Sequence, residues 1–412
     1  MPSLAGKNRA DLKAHNLQAI LMSLLSEERI ARVELARRTA LSATTISNLV
    51  GELMELGIIE EDGARPQAAM RGVGRPRRML RLVPDARYVI GVHIGIGLYR
   101  VAVTNLYAEI CANTISQYDT HAPAEEVLDA IAGDVKRTLE QSGVTREKLL
   151  GVGVGASGLV NPNQGVNLYA PRLGWRQTPI RAYLEERVQM PVCVENNVRA
   201  MALGEALFGA GRGARTLAFV YGRIGVGAGL VINGRLFRGS GFGAGEIGHM
   251  IMMPEGGERC SCGKHGCLET LVCEPVLVRA ALRLTGQEPT GLLASYLRNV
   301  HDAPLISNIF AAARDGDAPT QALIRDRARY LGIALANLVN LYNPDRIILG
   351  GMFAEGSDLI LPTAEAVMRA MALDSLGESV QVLPTSFGWR AGIIGAAAVA
   401  LLNFFYAPAE GA

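Results

Sequence analysis

The spacing of apolar residues predicts three helices near the start of the chain. Apolar side chains recur at helical spacing within residues 12–25, and residues 33–38 form a shorter helical run. A third helix begins after Ser42, whose hydroxyl suits an N-cap. Strand-like runs at 58–61 and 77–83 follow this helix. The order of these elements predicts a winged helix-turn-helix, in which the third helix enters the major groove of DNA.

Polar side chains on and after the third helix suit contacts with DNA. Small polar residues lie opposite its apolar face near its start, and we expect bases to be read by Thr44, Thr45, Ser47 and Asn48. Residues 63–83 hold six arginines and no acidic residue. We expect this wing to contact phosphates through Arg65, Arg71, Arg75, Arg77 and Arg78. The alternative is a small helical module that binds another protein.

Beyond residue 87 the pattern changes to alternating strands and helices. Three strand-like runs come first, at 88–94, 99–106 and 109–117, and a helical pattern at 123–141 follows them. Strands and helices then alternate until an apolar closing helix begins at Ala391. This alternation is typical of an α/β fold, although three successive strands at the start differ from a plain dinucleotide-binding fold.

Composition and charge limit the class of protein. The chain has 412 residues and a formal net charge of +2, but residues 1–83 carry 13 basic and nine acidic side chains. The longest apolar run, 391–402, is too short to span a bilayer. Six cysteines without a secretion signal suit a reducing compartment. We therefore expect a cytoplasmic protein with a basic DNA-binding head and no membrane insertion.

A cluster of metal-ligand residue types lies in the second half of the chain. His249, Cys260, Cys262 and Cys267 supply one imidazole and three thiolates, which are ligands that zinc prefers. Four protein ligands leave no open position for a hydrolytic water, so we expect a structural Zn²⁺ ion. His265 competes with His249 as the fourth ligand. Three free buried cysteines are the alternative interpretation.

Polar side chains near this cluster suit a polyhydroxylated ligand. Asn196 and Asn197 follow a predicted strand at 192–194, while Glu246 and Glu269 flank the cysteine-rich loop. Amides and carboxylates held at fixed positions donate to and accept from hydroxyl groups. Singly these residues suit helix caps, but as a set they predict a binding site for a polyol or sugar.

The segment 243–269, GAGEIGHM followed by CSCGKHGCLE, resembles the signature of the ROK family of repressors and sugar kinases. The resemblance runs from residue 12 to the C-terminus and points to the transcriptional-regulator branch. It implies an actin-like (ribonuclease-H-like) sugar-kinase fold of two lobes with a structural zinc loop. The implied domains are a winged helix-turn-helix at 1–83, an N-terminal lobe at 84–195 closed by the helix 391–404, and a C-terminal lobe at 196–390.

The resemblance also assigns residues to a sugar site. The implied sugar contacts are Gly158, Asn196, Asn197, Glu246, His249 and Glu269. The same resemblance implies that His249 binds zinc through its other ring nitrogen. Whether the ligand carries a phosphate stays open, with Arg172 and Arg223 as nearby candidates to bind one.

Departures from the family pattern argue against catalysis. Family kinases carry an aspartate as catalytic base where this chain has Asn197, and an amide cannot take the proton. Their first phosphate motif has an aspartate where His93 lies here, and their second has Gly-Thr-Gly where Arg223 and Ile224 lie. Phosphoryl transfer depends on positioning and charge stabilisation, so these losses together predict a protein that is not an enzyme.

The resulting functional prediction is a sugar-responsive repressor. We expect a homodimer or a dimer of dimers that binds double-stranded operator DNA, with a sugar or sugar phosphate as effector. The alternative is an active, ATP-dependent ROK sugar kinase with an accessory DNA-binding head. A third possibility is a head that binds a protein, joined to a body that binds no ligand.

Overall fold

The computed structural model describes residues 9–62, 78–298 and 304–406. The first described segments contain the helices α1 (Arg9–Ser26), α2 (Arg32–Thr39) and α3 (Ala43–Glu55). The strands there are β1 (Ile30–Ala31), β2 (Ile59–Asp62) and β3 (Met79–Leu82). These strands form an antiparallel sheet in the order β1-β3-β2. The predicted winged helix-turn-helix is therefore confirmed, and the sequence pattern misses β1 because two residues show no periodicity.

Helix α3 forms where the sequence predicts it for two local reasons. The Oγ atom of Ser42 accepts a hydrogen bond from the backbone N–H of Thr45 at 3.1 Å, which satisfies one free donor at the helix start. The apolar face of α3 buries Ile46 and Val50 in one core with Ile20 of α1. Burial on this face leaves the opposite polar face available to a ligand.

The first large sheet carries one wall of a cleft. Its part of the chain contains α4 (Ala124–Ser142), α5 (Ile180–Val188), β4 (Tyr88–Ile94), β5 (Leu98–Asn105), β6 (Ile110–Gln117), β7 (Leu149–Ala156), β8 (Leu159–Asn161), β9 (Val166–Ala170), β10 (Trp175–Thr178) and β11 (Val192–Asn196). Five of these strands form the sheet β11-β7-β4-β5-β6, while β8, β9 and β10 form a separate small sheet. β4 pairs in parallel with β7 and antiparallel with β5.

The second large sheet carries the opposite wall. Its strands are β12 (Thr216–Gly222), β13 (Val226–Ile232), β14 (Arg235–Phe237), β15 (Arg346–Gly351) and β16 (Gln381–Pro384), in the order β14-β13-β12-β15-β16. Its helices are α6 (Asn197–Phe208), α7 (Glu269–Val272), α8 (Glu274–Gln287), α9 (Leu292–Arg298), α10 (Leu305–Arg314), α11 (Ala318–Tyr342), α12 (Met352–Glu355), α13 (Ser357–Met371) and α14 (Asp374–Ser379). A large apolar core joins the helical layer to this sheet.

The closing helix α15 (Ala391–Leu401) packs against β4, β7 and α6 and is buried throughout. A Cβ atom at Gly153 would lie 2.1 Å from the Ala396 carbonyl oxygen, and one at Gly91 would lie 2.7 Å from that of Ile393. Glycine at these strand positions therefore permits the close approach of helix and sheet. The helical segment Gly388–Tyr406 is long and apolar enough to cross a membrane, but most of it is buried inside the fold.

The predicted α/β class and the actin-like arrangement of the body are confirmed. The structure adds elements that the sequence pattern does not reveal, including β8 to β10 and the helices α8, α9, α10 and α13. The strands are too short for clear alternation. The helices α8, α10 and α13 each bury one face, so their helical spacing is present in the sequence and the prediction did not extend to them.

Candidate functional site

A cleft between the two large sheets forms a cavity of about 270 Å³. Its walls come from β4 and β5, the start of α6, the β12–β13 turn and the loop that follows β14. All the residues that the sequence predicts for a sugar site line this cavity: Gly158, Asn196, Asn197, Glu246, His249 and Glu269. The fold thus brings together residues that lie up to about a hundred positions apart in the chain.

The two asparagines are held by the start of α6. Asn196 is its N-cap, since its Oδ1 accepts from the backbone N–H of Val198 at 3.0 Å and of Arg199 at 3.1 Å. Its Nδ2 donates to the Gly158 carbonyl at 2.9 Å. The Nδ2 of Asn197 donates to Ser157 Oγ at 3.1 Å. Asn196 therefore serves as a helix cap as well as a cavity-lining residue, and both amides are oriented before any ligand binds.

The two carboxylates of the cavity differ in their partners. Glu269 accepts from the Arg172 guanidinium at 2.5 Å and from Ser261 Oγ at 3.3 Å. Arg172 is therefore not a free surface cation but part of an ion pair across the cleft. Glu246 is exposed to the cavity, and within the described chain no hydrogen bond reaches its carboxylate. The surrounding walls nevertheless desolvate it enough to raise its pKa above the usual value.

The predicted metal ligands form a compact cluster. The ligand atoms of His249, Cys260, Cys262 and Cys267 all lie within 4.8 Å of one another, so the cluster could hold a metal ion. Cys262 Sγ lies 3.7 Å from Cys267 Sγ, close to the separation of about 3.8 Å for two thiolates bound to one tetrahedral zinc at about 2.3 Å. The Nδ1 atom of His249 lies 3.6 Å from Cys260 Sγ. His265 does not belong to the cluster, which resolves the choice between the two histidines.

We call the side of the cavity formed by Glu246, His249 and Glu269 the metal-loop end. The side formed by His93, Arg100 and Arg223 is called the arginine end. The arginine end lies where the resemblance places the phosphate motifs, and its side chains are cationic or neutral. The two ends therefore present opposite charges to a ligand in one cavity.

At the arginine end, His93 and Arg100 lie directly opposite each other in the β4–β5 ladder. Cross-strand partners project to the same face of a sheet, and Arg100 Nη1 lies 3.5 Å from His93 Nδ1. Burial, together with the charges of Arg100 and Arg223, lowers the pKa of His93 to about 3. The imidazole is therefore neutral at pH 7. Arg100 is a site residue that sequence reasoning missed, because only the strand register pairs it with His93.

The DNA-facing helix places most of its predicted residues on the surface. Thr44, Ser47 and Asn48 are exposed on α3, whereas Thr45 is half-buried and its hydroxyl lies 2.9 Å from Ser42 Oγ. Arg78 is exposed and forms an ion pair with Glu61 at 2.8 Å. The other predicted wing contacts lie outside the described residues: Arg65, Arg71, Arg75 and Arg77.

Comparison with known proteins identifies the class and then the family. The described fold joins a winged helix-turn-helix to an actin-like body with a glycine-lined cleft. Residues 89–402 match the ROK family, and residues 15–60 match the winged helix-turn-helix DNA-binding family. The chain belongs to the ROK family, as its sequence signature predicts, and its head places it among the family's regulators.

Individual relatives include both regulators and kinases. The chain is 28% identical to a xylose repressor of Caldicellulosiruptor bescii over 401 residues, which cover 97% of this chain and 99% of that protein. It is 32% identical to a glucokinase of Halalkalibacterium halodurans over 310 residues, which cover 75% of this chain and 93% of that protein. A solved ROK family transcriptional regulator, a homologue of the Escherichia coli Mlc protein, has a TM-score of 0.80 and 26% identity, covering 95% of this chain and 97% of that one.

Proposed function

We propose that this protein is a sugar-responsive DNA-binding repressor whose body binds a sugar or sugar phosphate without phosphorylating it. The observation that carries the proposal is one chain that combines a winged helix-turn-helix with a kinase-like cleft. Asn197 lines this cleft, and the family resemblance expects the catalytic base at that residue. The xylose repressor, which matches nearly the whole chain, supports the same combination.

The proposed DNA interface is the exposed face of α3 together with the wing. Thr44, Ser47 and Asn48 present small polar groups that suit base edges in the major groove. Thr45 contributes from a half-buried position, and the wing arginines bind phosphates. One reading helix distinguishes few base pairs, so we propose a homodimer or a dimer of dimers on two half-sites in the cytoplasm.

The proposed effector site uses the metal-loop end of the cavity. Asn196, Asn197, Glu246 and Glu269 would bind sugar hydroxyls, with Gly158 forming the floor beneath them. A Cβ atom at Gly158 would lie 2.6 Å from the Tyr169 carbonyl oxygen, and its φ of +101° favours glycine, so this floor admits no side chain. A structural Zn²⁺ bound by the cysteine–histidine cluster would fix the loop and so orient His249 toward the ligand.

The contacts of one arginine support the proposed response to sugar. Helix α6 begins in the cavity at Asn197 and ends at Phe208, and Arg212 follows it closely. The Arg212 guanidinium donates to the carbonyls of Leu25 and Ser26 at 3.1 Å, at the C-terminal end of α1. A movement of α6 on ligand binding would therefore pull on the DNA-binding head. Such a response requires the sugar to bind one arrangement better than the other.

We propose the domain division 1–83, 84–195 with 391–404, and 196–390 for this mechanism. Helix α6 packs against β12 and β13 of the second sheet and also against α15, which closes the first lobe, so α6 lies where the two proposed lobes meet. Residues 84–86 form a short turn between the head and β4, and the Leu106 N–H donates to the Pro84 carbonyl at 3.1 Å. This contact fixes the turn to the body.

The direct test is DNA binding with and without sugars. Protein is equilibrated with a fragment selected from a random-sequence pool, and a panel of aldoses and their phosphates is added in a gel-shift experiment. We expect salt-sensitive binding that one effector class releases. Asn48→Ala should weaken binding to the selected DNA sequence by about 1–3 kcal/mol. Asn113→Ala, at an exposed position on β6, is the control and should leave DNA binding unchanged. No binding at low salt would refute the proposal.

The kinase relative makes sugar phosphorylation the second candidate. A coupled ADP-release assay over the same aldoses separates the two functions. Turnover above the buffer background would favour the kinase, and its absence together with sugar-dependent DNA release would favour the repressor.

A further inference from the structure

The arginine end of the cavity contains polar groups that sugar hydroxyls at the metal-loop end do not use. Arg100 has no carboxylate partner within 4.0 Å in the described chain, and its Nε is buried without a hydrogen-bond partner there. The ring centroid of Trp389 lies 5.9 Å from its guanidinium carbon. Burying a cation without a counter-ion costs free energy, so this half-buried guanidinium in a ligand cavity favours an anionic ligand.

His93 has a second donor without a partner. A guanidinium only donates, so the contact between Arg100 Nη1 and His93 Nδ1 makes Nδ1 the acceptor and places the ring proton on Nε2. Within the described residues, nothing accepts a hydrogen bond from this buried Nε2. His93 is 4% exposed, and a Cβ atom at Gly392 would lie 2.5 Å from its ring. The ring is therefore clamped in place and keeps Arg100 oriented.

Arg223 supplies a second cation from the opposite wall. It lies in the turn between β12 and β13, and its Nε is 3.5 Å from Glu274. Glu274 does not line the cavity, and the two carboxylates that do, Glu246 and Glu269, belong to the metal-loop end. Arg100 and Arg223 thus face one space from different sheets. Glu269 also contacts the β12–β13 turn, where it accepts from the Val226 N–H at 3.3 Å, but it is paired with Arg172.

The arginine end is continuous with the predicted sugar site. Asn197 donates to Ser157 Oγ, and that hydroxyl donates to the Ile94 carbonyl at 3.1 Å. Ile94 directly follows His93 on β4. A group attached to a sugar hydroxyl near Asn197 would therefore extend toward the space between Arg100 and Arg223.

Resting on the proposed function, we propose that Arg100 and Arg223 form an anion subsite that binds the phosphate of a sugar phosphate effector. The phosphate accepts hydrogen bonds from both guanidinium groups and joins the two walls of the cleft. Arg223, at a position of the second phosphate motif by the family resemblance, here serves recognition, and a neutral sugar leaves Arg100 without an anionic partner.

The test compares each sugar with its own phosphate ester. Glucose, glucose 6-phosphate, xylose, xylose 5-phosphate, inorganic phosphate and Mg·ATP are titrated calorimetrically into the full-length protein. The wild type should bind a sugar phosphate at least about tenfold more tightly than the parent sugar. Arg100→Gln and Arg223→Gln should each remove most of that ratio while leaving the affinity for the neutral sugar within about twofold.

Matched variants keep the result interpretable. Arg235→Gln changes an exposed arginine of β14 outside the cavity and should keep the wild-type ratio. Arg100→Lys keeps the charge and should retain part of the preference, which separates an anion contact from a purely structural role. Because the Arg223 side chain is 39% exposed, its variant keeps the test valid if Arg100→Gln fails to fold.

Three results would overturn the subsite. They are equal affinity for sugar and sugar phosphate in the wild type, an unchanged ratio in both glutamine variants, or inorganic phosphate or Mg·ATP binding as tightly as the sugar phosphate. DNA release by neutral sugars with no arginine-dependent preference would refute the subsite and keep the repressor. Arginine-dependent binding of a sugar phosphate that leaves DNA binding unchanged would refute the sugar-responsive repressor and keep the anion subsite.

Discussion

The two ends of the cleft show how a kinase-like fold separates recognition from catalysis. The metal-loop end keeps Glu246, His249 and Glu269, the residues that the family resemblance assigns to sugar binding. The arginine end carries His93 and Arg223 at positions where the family resemblance expects the carboxylate and a slim hydroxyl residue of the phosphate motifs. Hydroxyl recognition needs only fixed polar groups, whereas phosphoryl transfer needs the base, the metal carboxylate and the phosphate loop together. One end can therefore change while the other is kept.

The largest expected effect is the loss of the metal cluster at the metal-loop end. Cys267 is fully buried, and its thiolate is one of four ligand atoms in the cluster. Cys267→Ser should reduce bound zinc from about one per chain to near zero, since structural zinc sites contribute about 10–16 kcal/mol in small domains. Sugar binding should disappear with the metal, because His249 is attached to the same loop. Elemental analysis and calorimetry measure the two losses.

The control for this prediction is another cysteine. Cys111 is exposed on β6 and lies outside the cluster, so Cys111→Ser should keep full zinc content and sugar affinity. If Cys267→Ser retained both, the cluster would not be a metal site, and free buried cysteines would be the correct interpretation.

The next effect concerns a buried ion pair that supports the metal-loop end. Arg199 is 1% exposed and donates to the fully buried Glu195 at 2.8 Å and to the Phe242 carbonyl at 2.7 Å. Arg199→Met would leave Glu195 with Arg238 and the Asn196 backbone N–H, and the free energy of unfolding should fall by about 3–5 kcal/mol. Urea denaturation gives this difference. Arg235→Met, at an exposed position, should change it little, and equal stability of both variants would contradict the prediction.

These contacts also show where sequence reasoning succeeds and where it ends. The metal ligands and the predicted sugar residues meet in one region because a contiguous signature carries most of them, and its spacing is visible without a structure. Arg100 enters the cavity through its register opposite His93, which no local pattern encodes. The pairing of Arg172 with Glu269 likewise depends on how distant segments pack. The cap made by Asn196 is local, and the sequence already suggests it.

A smaller effect is the pH dependence of stability that His93 causes at the arginine end. Burial, together with Arg100 and Arg223, lowers the pKa of His93 to about 3, below the value of about 6.5 in an unfolded chain. The unfolded state then binds the proton better, so stability is complete above about pH 6.5 and is lost as the pH falls toward 3. Between pH 7.5 and 5.0 the wild type should lose about 2 kcal/mol more than His93→Gln.

Unfolding curves at the two pH values measure this difference. His121 is an exposed histidine, so His121→Gln should follow the wild type at both values. The same pH dependence in His93→Gln and the wild type would mean that folding does not lower the pKa of His93, which would contradict the prediction.

The smallest expected effect is the most informative about the arginine end. Asn197→Asp restores a carboxylate at the position of the family's base, next to Ser157. We expect no ADP release above background, because His93 still replaces the metal-binding aspartate and Arg223 still replaces a slim residue of the phosphate loop. A ROK glucokinase serves as the positive control in the coupled assay. Turnover by the single variant would show that the missing base alone accounts for the absence of kinase activity. Its absence would mean that catalysis returns only when the base and the phosphate motifs are restored together.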